Sequence, residues 1–243
     1  MMKKRNVMIL FSATVALTLA ACGSKEQSSS TSSNAGKTKY ASEVTHDGTP
    51  IKGGTLKYAI VSSSPFSGIF ADELSADTND STIGGLVDES MFEYDENRKL
   101  TNTGLASIEF DVENKTATVT LNSKDYKWSD GQPVTIDDYI FAYQAIGNKD
   151  YTGVRYDDDY KNVVGMEDYH DGKADSVSGL EKVDDYTVKI HFKEMSPSMQ
   201  LAGGSVCAYI MPKHIFKDIP ESEWEQSDYV RGTKFVGLGQ FKI

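Results

Sequence analysis

A turn followed by a helix start lies at residues 128–143, and the fold is organised around it. The stretch is Trp128-Ser129-Asp130-Gly131-Gln132-Pro133-Val134-Thr135-Ile136-Asp137-Asp138-Tyr139-Ile140-Phe141-Ala142-Tyr143. Its first half is typical of a turn, because Asp130 and Gly131 tolerate a positive φ and Pro133 cannot donate to a strand ladder. This turn is expected to separate a strand region from a helix.

The second half of the stretch predicts the start of that helix. Thr135 can cap the free backbone N–H groups, and Asp138, three residues later, matches the acidic position of a capping box. Ile136, Ile140 and Tyr143 recur on one helical face. Two adjacent aspartates could also serve as catalytic carboxylates, but capping and the helix dipole account for both of them. We therefore predict a capped helix here.

Alternating apolar residues predict two β-hairpins. In the first, residues 108–112 and 117–121 alternate on either side of a turn at Glu113-Asn114-Lys115. In the second, residues 180–183 and 186–192 flank a turn at Asp184-Asp185. Such runs are typical of strands with one buried face.

A further strand is predicted at Gly53–Val61, which also alternates and is rich in β-forming residues. Ser62-Ser63-Ser64-Pro65 interrupts it.

The order of these segments resembles the extracellular solute-binding proteins of the oligopeptide and dipeptide type, which serve ATP-driven (ABC) importers. The resemblance rests on Gly53-Gly54-Thr55-Leu56, Phe92-Glu93-Tyr94-Asp95, residues 128–138, residues 184–190, Ile210-Met211-Pro212-Lys213-His214 and residues 236–239. It spans about Gly53 to Ile243. His214 is then a helix-entry residue and not a metal ligand. Leu238 and Gln240 depart from the family pattern, which has Thr and Pro at these positions.

The resemblance implies an α/β protein (rich in α+β elements) with the periplasmic-binding-protein fold of type II, in the peptide-binding subclass. Residues 51–70 would form the opening strand of the first lobe. Residues 71–178 would form a small extra domain with a hairpin and the capped helix, and residues 179–243 would return to the first lobe. The second lobe would lie outside this sequence, so the chain is expected to correspond to the N-terminal portion of such a protein.

The resemblance also implies a ligand site in the loop after the opening strand. Its residues are Val61, Ser62, Ser63, Ser64 and Pro65. Their backbone groups would meet the main chain of a peptide, and every peptide offers the same N–H and C=O groups whatever its side chains. A plain surface turn is the alternative for any single serine.

The N-terminus predicts an export signal. Basic residues 3–5 precede an uncharged apolar run, Val7–Ala21, that is short for a membrane span. Leu19-Ala20-Ala21-Cys22 matches the lipobox of bacterial lipoproteins. We interpret residues 1–21 as a lipoprotein signal peptide and Cys22 as the lipidated residue. An ordinary secretory signal with a chance cysteine is the alternative.

Residues 22–50 are predicted to be a flexible tether between the lipid and the folded domain. The stretch from Gly23 to about Ser42 is rich in serine and nearly devoid of apolar side chains, so it cannot bury enough surface to order itself. The protein is then expected at the extracytoplasmic face of the cell membrane, held by lipid alone. A Gram-positive cell surface is the expected location.

Composition limits the possible partners. The 243 residues carry a formal net charge of −11, and without residues 1–21 the chain has 22 basic against 36 acidic residues. A chain this acidic is a poor nucleic-acid binder. With Cys22 taken by lipid, Cys207 has no disulfide partner, and its apolar neighbours predict a buried core residue.

The sequence contains no familiar catalytic or metal-binding motif. G-x-S-x-G, H-E-x-x-H and the P-loop are missing, and the acidic segment Ile146–Ser178 lacks calcium-loop spacing. We interpret that segment as a solvated loop surface. We expect no catalytic residue, no metal and no cofactor.

Three functions can be compared. The first is a substrate-binding lipoprotein of an ABC peptide importer, which captures oligopeptides outside the cell and delivers them to the permease subunits. The second is a truncated, non-transporting surface lipoprotein that binds a partner or senses peptide. The third is an enzyme, which the missing motifs disfavour.

Overall fold

The computed structural model describes residues 52–55, 57–202 and 206–243. The chain divides into two units, Met1–Lys57 and Tyr58–Ile243, and every helix and strand below belongs to the second. The predicted signal peptide 1–21, Cys22 and the tether 22–50 lie outside the described residues. None of the helices in the described ranges is long and apolar enough to cross a membrane.

Helices outnumber strands in the described part of the chain. The α-helices are α1 Thr78–Val87, α2 Ile136–Gly147, α3 Asp158–Lys161, α4 Met166–His170, α5 Lys213–Phe216, α6 Glu221–Trp224 and α7 Asp228–Arg231. Short 3₁₀ turns lie at Asp72–Leu74 and Pro197–Gln200. The strands are β1 Ala106–Asp111, β2 Thr116–Leu121, β3 Leu180–Lys182 and β4 Thr187–His191.

The four strands form one antiparallel sheet in the order β1-β2-β4-β3. Both predicted hairpins are confirmed, β1–β2 by the pairing of Ile108 with Val119 and β3–β4 by the pairing of Leu180 with Ile190. Val188 and Ile190 are fully buried, as their alternation predicts. Helix α2 packs against β3 and β4.

The sheet spans the position, between residues 178 and 179, at which a domain boundary is predicted. Strand β2 pairs with β4 across that boundary, with Val119 opposite Val188, and residues 58–243 form a single unit. The two hairpins share one buried face, so neither could keep its apolar side chains out of water alone. Local patterns predict each hairpin, but they do not reveal that the two hairpins pair with each other or through which strands.

Helix α2 begins as predicted. Thr135 is the N-cap and forms a capping box with Asp138. The buried face is slightly rotated from the predicted one, because Tyr139 is fully buried whereas Ile140 is partly exposed. Burial at Ile136, Tyr139 and Tyr143 follows the helical period and turns this side of α2 to the core.

The carboxylate of Asp138 joins three segments that are distant in sequence. One oxygen accepts the N–H of Thr135 at 2.9 Å and the indole N–H of Trp128 at 3.3 Å. The other accepts the N–H of Lys213 at 3.0 Å, at the start of α5. Asp138 is only 5% exposed, and burial raises the pKa of its carboxyl group while these donors lower it. A side chain predicted as a local cap therefore also holds the turn and α5 against α2.

Cys207 is confirmed as a buried core residue. Its carbonyl oxygen accepts the hydroxyl of Tyr139 at 2.8 Å, and its N–H donates to the hydroxyl of Tyr143 at 2.9 Å. Burial raises the pKa of its thiol to about 12. The two tyrosines thus bind the backbone of the segment that leads to α5.

The predicted opening strand at Gly53–Val61 is not present among the residues described there. Residues 52–55 and 57–61 are exposed and unpaired. Alternation is not enough to make a strand, because a strand also needs a neighbour for its N–H and C=O groups.

The C-terminal stretch from Phe235 to Ile243 forms no strand. Its backbone N–H groups donate to the end of α1, from Gly239 to the Val87 carbonyl at 3.0 Å and from Phe241 to the Leu86 carbonyl at 3.1 Å. A Cβ on Gly239 would overlap backbone atoms of Val87 and Asp88, so the chain lies very close to the end of α1 at this glycine.

The acidic segment Ile146–Ser178 is more ordered than a solvated loop surface. It contains α3 and α4, and Tyr160, Val163 and Met166 are buried in the core. Asp157 caps α3 by accepting the N–H groups of Asp159 and Tyr160. The segment therefore has a buried apolar side as well as its many aspartates, and its acidic composition alone does not indicate that side.

Two carboxyl groups near α1, those of the buried Glu73 and the half-buried Asp88, have raised pKa values. Glu73 is 4% exposed, and burial together with the nearby Asp88 carboxylate raises its pKa from 4.5 to about 8. Burial likewise raises the pKa of Asp88 to about 7, although the N–H groups of Glu89 and Leu238 oppose the change. At neutral pH the fold therefore retains protons that an unfolded chain would release.

Replacement of Asp138 by Ala should strongly destabilise the fold. The substitution leaves the N–H groups of Thr135, Trp128 and Lys213 without their acceptor, which should lower the free energy of unfolding by about 3 kcal/mol. Urea denaturation followed by far-ultraviolet circular dichroism measures the change. The matched control is Asp137→Ala, which removes only surface ion pairs to Lys182 and Lys213 and should cost less than about 1 kcal/mol. Equal losses in both variants would contradict the assigned role of Asp138.

Replacement of Glu73 by Gln should flatten the pH dependence of stability. As the pH rises from about 4.5 to about 8, the unfolded chain loses the Glu73 proton while the folded chain keeps it, so wild-type stability falls across this window. The Gln side chain does not titrate, so this loss of stability is absent from the variant. Glu73→Gln should therefore be more stable than wild type at pH 8, by more than about 1 kcal/mol. Thermal melts from pH 5 to 8 report the slope, and the exposed Glu113→Gln is the control. A wild-type slope in Glu73→Gln would refute the assignment.

Candidate ligand-binding site

The predicted ligand residues lie together at the N-terminus of α1. Val61 is fully exposed at 100%, and Ser62, Ser63, Ser64 and Pro65 follow it in a loop over the first turn of the helix. The loop is therefore available to solvent, and its position depends on the side chains of α1 that contact it.

Asn79 is the centre of those contacts. Its side-chain amide donates to the Ser62 hydroxyl oxygen at 2.5 Å, to the Ser64 carbonyl at 3.0 Å and to the Ser64 hydroxyl at 2.9 Å. The Ser64 hydroxyl in turn donates to Asp77, the N-cap of α1, at 2.8 Å. Four residues of the loop and helix start thus form one hydrogen-bonded group, which we call the Asn79 clamp (Ser62, Ser64, Asp77 and Asn79).

The clamp also keeps the carboxyl group of Asp77, beside the loop, negatively charged. The N–H of Asn79 donates to Asp77 at 2.7 Å, and this bond together with the Ser64 hydroxyl holds the pKa of Asp77 below its usual range. Asp77 therefore remains ionised at neutral pH, and its negative charge faces the positive end of the α1 dipole.

A second contact fixes the far end of the loop. Ser67 donates its N–H to Asp80 at 2.8 Å, and its hydroxyl donates to the other oxygen of the same carboxylate. Asp80 is buried, with 1% exposure. Residues 62–67 are thus attached to α1 at both ends.

A cavity of about 250 Å³ lies beside the clamp. Ile60, Phe66 and Ile83 supply apolar walls, Pro65 adds a ring face, and Ser62, Ser64 and Asn79 supply the polar groups. None of the described residues that line it carries a charge. We call it the 60–83 cavity, and it combines apolar walls with a few fixed hydrogen-bonding groups, as small-molecule sites do.

An exposed apolar segment leads into this cavity. Tyr58, Ile60 and Val61 are 79%, 43% and 100% exposed, and no strand in the described ranges pairs with residues 58–61. Such a segment presents unpaired backbone N–H and C=O groups to any extended chain that approaches. The site therefore offers a main-chain edge and a neutral cavity side by side.

Other cavities lack these properties. One of about 480 Å³ between α3, α4 and the end of β4 is lined by Lys161, Lys193 and acidic residues, and these charges already pair with one another, Lys161 with Asp158 and Lys193 with Glu167. Another, of about 180 Å³, lies over Glu73 and Asp88. Neither contains a residue of the predicted ligand loop.

Sequence reasoning found the serines of the site but missed the residues that hold them. Asp77-Thr78-Asn79-Asp80 has the composition of a helix start, which would have indicated the cap. Nothing in the sequence shows that the side chain of Asn79 reaches back to Ser62 and Ser64. His214, predicted as a helix-entry residue, lies in the first turn of α5 and pairs with Asp130 at 2.8 Å. Within the described ranges no three His, Cys, Asp or Glu side chains are grouped as a metal site would require.

Comparison with known proteins places the chain in a family. Residues 102–243 match the profile of the bacterial extracellular solute-binding proteins, family 5 Middle. The chain is 36% identical over 249 residues to the oligopeptide-binding protein OppA of Lactococcus lactis subsp. lactis, which covers 99% of this chain and 41% of that protein. It is 26% identical over 246 residues to the oligopeptide-binding protein AppA of Bacillus subtilis, covering 100% of this chain and 39% of that protein. The chain thus spans about two fifths of the length of these relatives.

Solved structures agree with this assignment. Lactococcal OppA, complexed with an endogenous peptide in the closed conformation, superposes with a TM-score of 0.69 at 37% identity, over 74% of this chain and 34% of that one. AppA of Bacillus subtilis in complex with a nonapeptide gives a TM-score of 0.57 at 26% identity, over 72% and 31%. The fold is therefore part of the type II periplasmic-binding architecture, as the resemblance implies. The chain belongs to the bacterial extracellular solute-binding proteins of family 5.

Proposed function

We propose that this chain is part of a receptor that captures oligopeptides outside the cell for an ABC importer. The observation that carries the proposal is the exposed, unpaired segment 58–61, which runs directly into the Asn79 clamp and the 60–83 cavity. The relatives whose names specify oligopeptide binding support the same substrate class.

Peptide recognition at this site would follow from backbone pairing. A peptide lying along residues 58–61 would complete their N–H and C=O hydrogen bonds as an added strand, and its main chain is the same for every sequence. Val61 and the serines 62–64 with Pro65 are the proposed ligand residues. The exposed rings and aliphatic side chains of Tyr58 and Ile60 would lose water on contact with the peptide.

The location and partners follow from the N-terminus and the family. Cys22 would carry diacylglycerol, and residues 22–50 would tether the domain at the extracytoplasmic face of the membrane, with the permease subunits of the importer as protein partners. The role is binding and not catalysis: membership of a solute-binding family supports it.

The first test concerns peptide binding. Blocked trialanine titrated into the ¹⁵N-labelled chain should shift the resonances of residues 58–66, with a dissociation constant on the order of 100 μM or weaker, because the site contacts a peptide on one side only. Val61→Pro removes one backbone N–H and should weaken binding at least about fivefold, whereas Val61→Ala retains that N–H and should bind like wild type. Shifts confined to the cavity at α3 and α4, or none at millimolar peptide, would refute the site.

The second test concerns the lipid anchor. Cys22→Ser removes the thiol that the diacylglycerol would occupy, so the protein should move from the membrane fraction to the culture medium of a Gram-positive expression host. Immunoblots of both fractions measure the distribution, and Ser24→Ala serves as a control that keeps the cysteine. Membrane retention of Cys22→Ser equal to wild type would rule out lipidation as the anchor.

A further inference from the structure

We propose that the hydroxyl of Ser62 is the hydrogen-bond donor of the 60–83 cavity, that Asn79 is its positioning residue, and that the cavity takes an uncharged peptide side chain. The inference rests on the proposed function, since it names the substrate chemistry of the same site. Three observations carry it: the hydrogen bonds of the two serines, the neutral lining of the cavity, and the attachment of the loop to α1.

The hydrogen bonds of the two serines differ in one decisive respect. A serine hydroxyl has one donor proton and two acceptor lone pairs. Ser64 donates its proton to Asp77 and accepts from Asn79, so its proton is already used. Ser62 accepts twice, from Asn79 at 2.5 Å and from the N–H of Ser64 at 3.2 Å, and no described residue accepts its proton.

The free proton of Ser62 is therefore available to a ligand. Both lone pairs of the oxygen are occupied by donors, so the hydroxyl can act only as a donor toward the cavity that it lines. The matching ligand group is an acceptor, and a peptide carbonyl oxygen is the acceptor that recurs at every residue of a peptide. Asn79 cannot replace Ser62 in this role, because its side-chain N–H groups are engaged by Ser62 and Ser64.

The lining determines which side chain can accompany that carbonyl. Ile60, Phe66 and Ile83 present apolar surface, and the nearest carboxylate of the clamp, Asp77, is turned to Ser64 and the N–H of Asn79. A charged ligand side chain would lose water here without gaining an opposite charge, which is costly. A volume of about 250 Å³ accommodates an aliphatic or small neutral side chain.

Asn79 acts through Ser62 and Ser64 and not on the ligand itself. Its amide donates to the oxygen of Ser62 at 2.5 Å and so holds that oxygen at the start of α1. Removal of this amide should free the Ser62 hydroxyl to turn elsewhere, although Asp80 would still hold Ser67 and keep the loop attached. Binding should therefore suffer more than stability.

The test is a titration of the full chain, labelled with ¹⁵N, with three blocked amino acids: N-acetyl-leucine methylamide and its lysine and aspartate counterparts. Wild type should bind the leucine compound at least about fivefold more tightly than either charged compound. Ser62→Ala should weaken binding of the leucine compound at least about threefold without changing the midpoint of thermal unfolding. Thr82→Ala, which removes an exposed hydroxyl that only bonds within α1, is the matched control and should match wild type in both measurements.

A double-mutant cycle separates positioning from structure. Asn79→Ala should weaken binding of the leucine compound to a similar degree and should increase the amide exchange rate of Ser64. The double variant Asn79→Ala/Ser62→Ala should bind almost as well as Asn79→Ala alone, because the two residues act as one unit. Additive losses would refute the positioning role. Unchanged binding by Ser62→Ala, or equal binding of the charged compounds, would overturn the inference.

The two levels of proposal fail in different ways. If blocked trialanine shifts residues 58–61 but the leucine compound leaves the resonances of Ser62 and Ile83 unmoved, the cavity inference is wrong and peptide pairing along the edge stands. If neither compound shifts any resonance of residues 58–83 at millimolar concentration, the proposed function of this site is wrong and the inference fails with it.

Discussion

The buried carboxylate of Asp138 is the interaction on which this fold depends most. It caps α2, accepts the indole N–H of Trp128 and accepts the N–H at the start of α5. Few residues join a turn, a long helix and a distant segment through one side chain. Because burial raises the pKa of this carboxyl group, the surrounding donors are needed to offset the loss of water. The stretch 128–143 therefore organises the chain in space as well as in sequence.

Features whose cause is local were predictable from the sequence. Each hairpin has its turn residues and its apolar alternation within about a dozen residues. The capped start of α2 is likewise indicated by Thr135 and Asp138, three residues apart. Cys207 was placed in the core by its neighbours alone. The family was recognisable because several such local segments occur in a fixed order.

Features whose cause is distant were not predictable. Pairing of β2 with β4 depends on which apolar faces meet, and the opening strand depends on a partner that alternation cannot supply. The same limit applies to the site: the serine loop was visible in the sequence, but its attachment to Asn79 and Asp80 appears only when α1 lies beneath it. The tyrosines and Met166 within the acidic segment were hidden by the charges around them.

The strand order β1-β2-β4-β3 has a consequence for the way this protein folds. The β1–β2 hairpin forms from neighbouring residues, whereas Thr187–His191, which covers the other side of β2, must first close the long connection that begins after Leu121. Until that connection closes, a β-edge rich in threonine is unpaired, and such an edge can pair with another copy of the chain. Low protein concentration during refolding therefore favours the correct sheet.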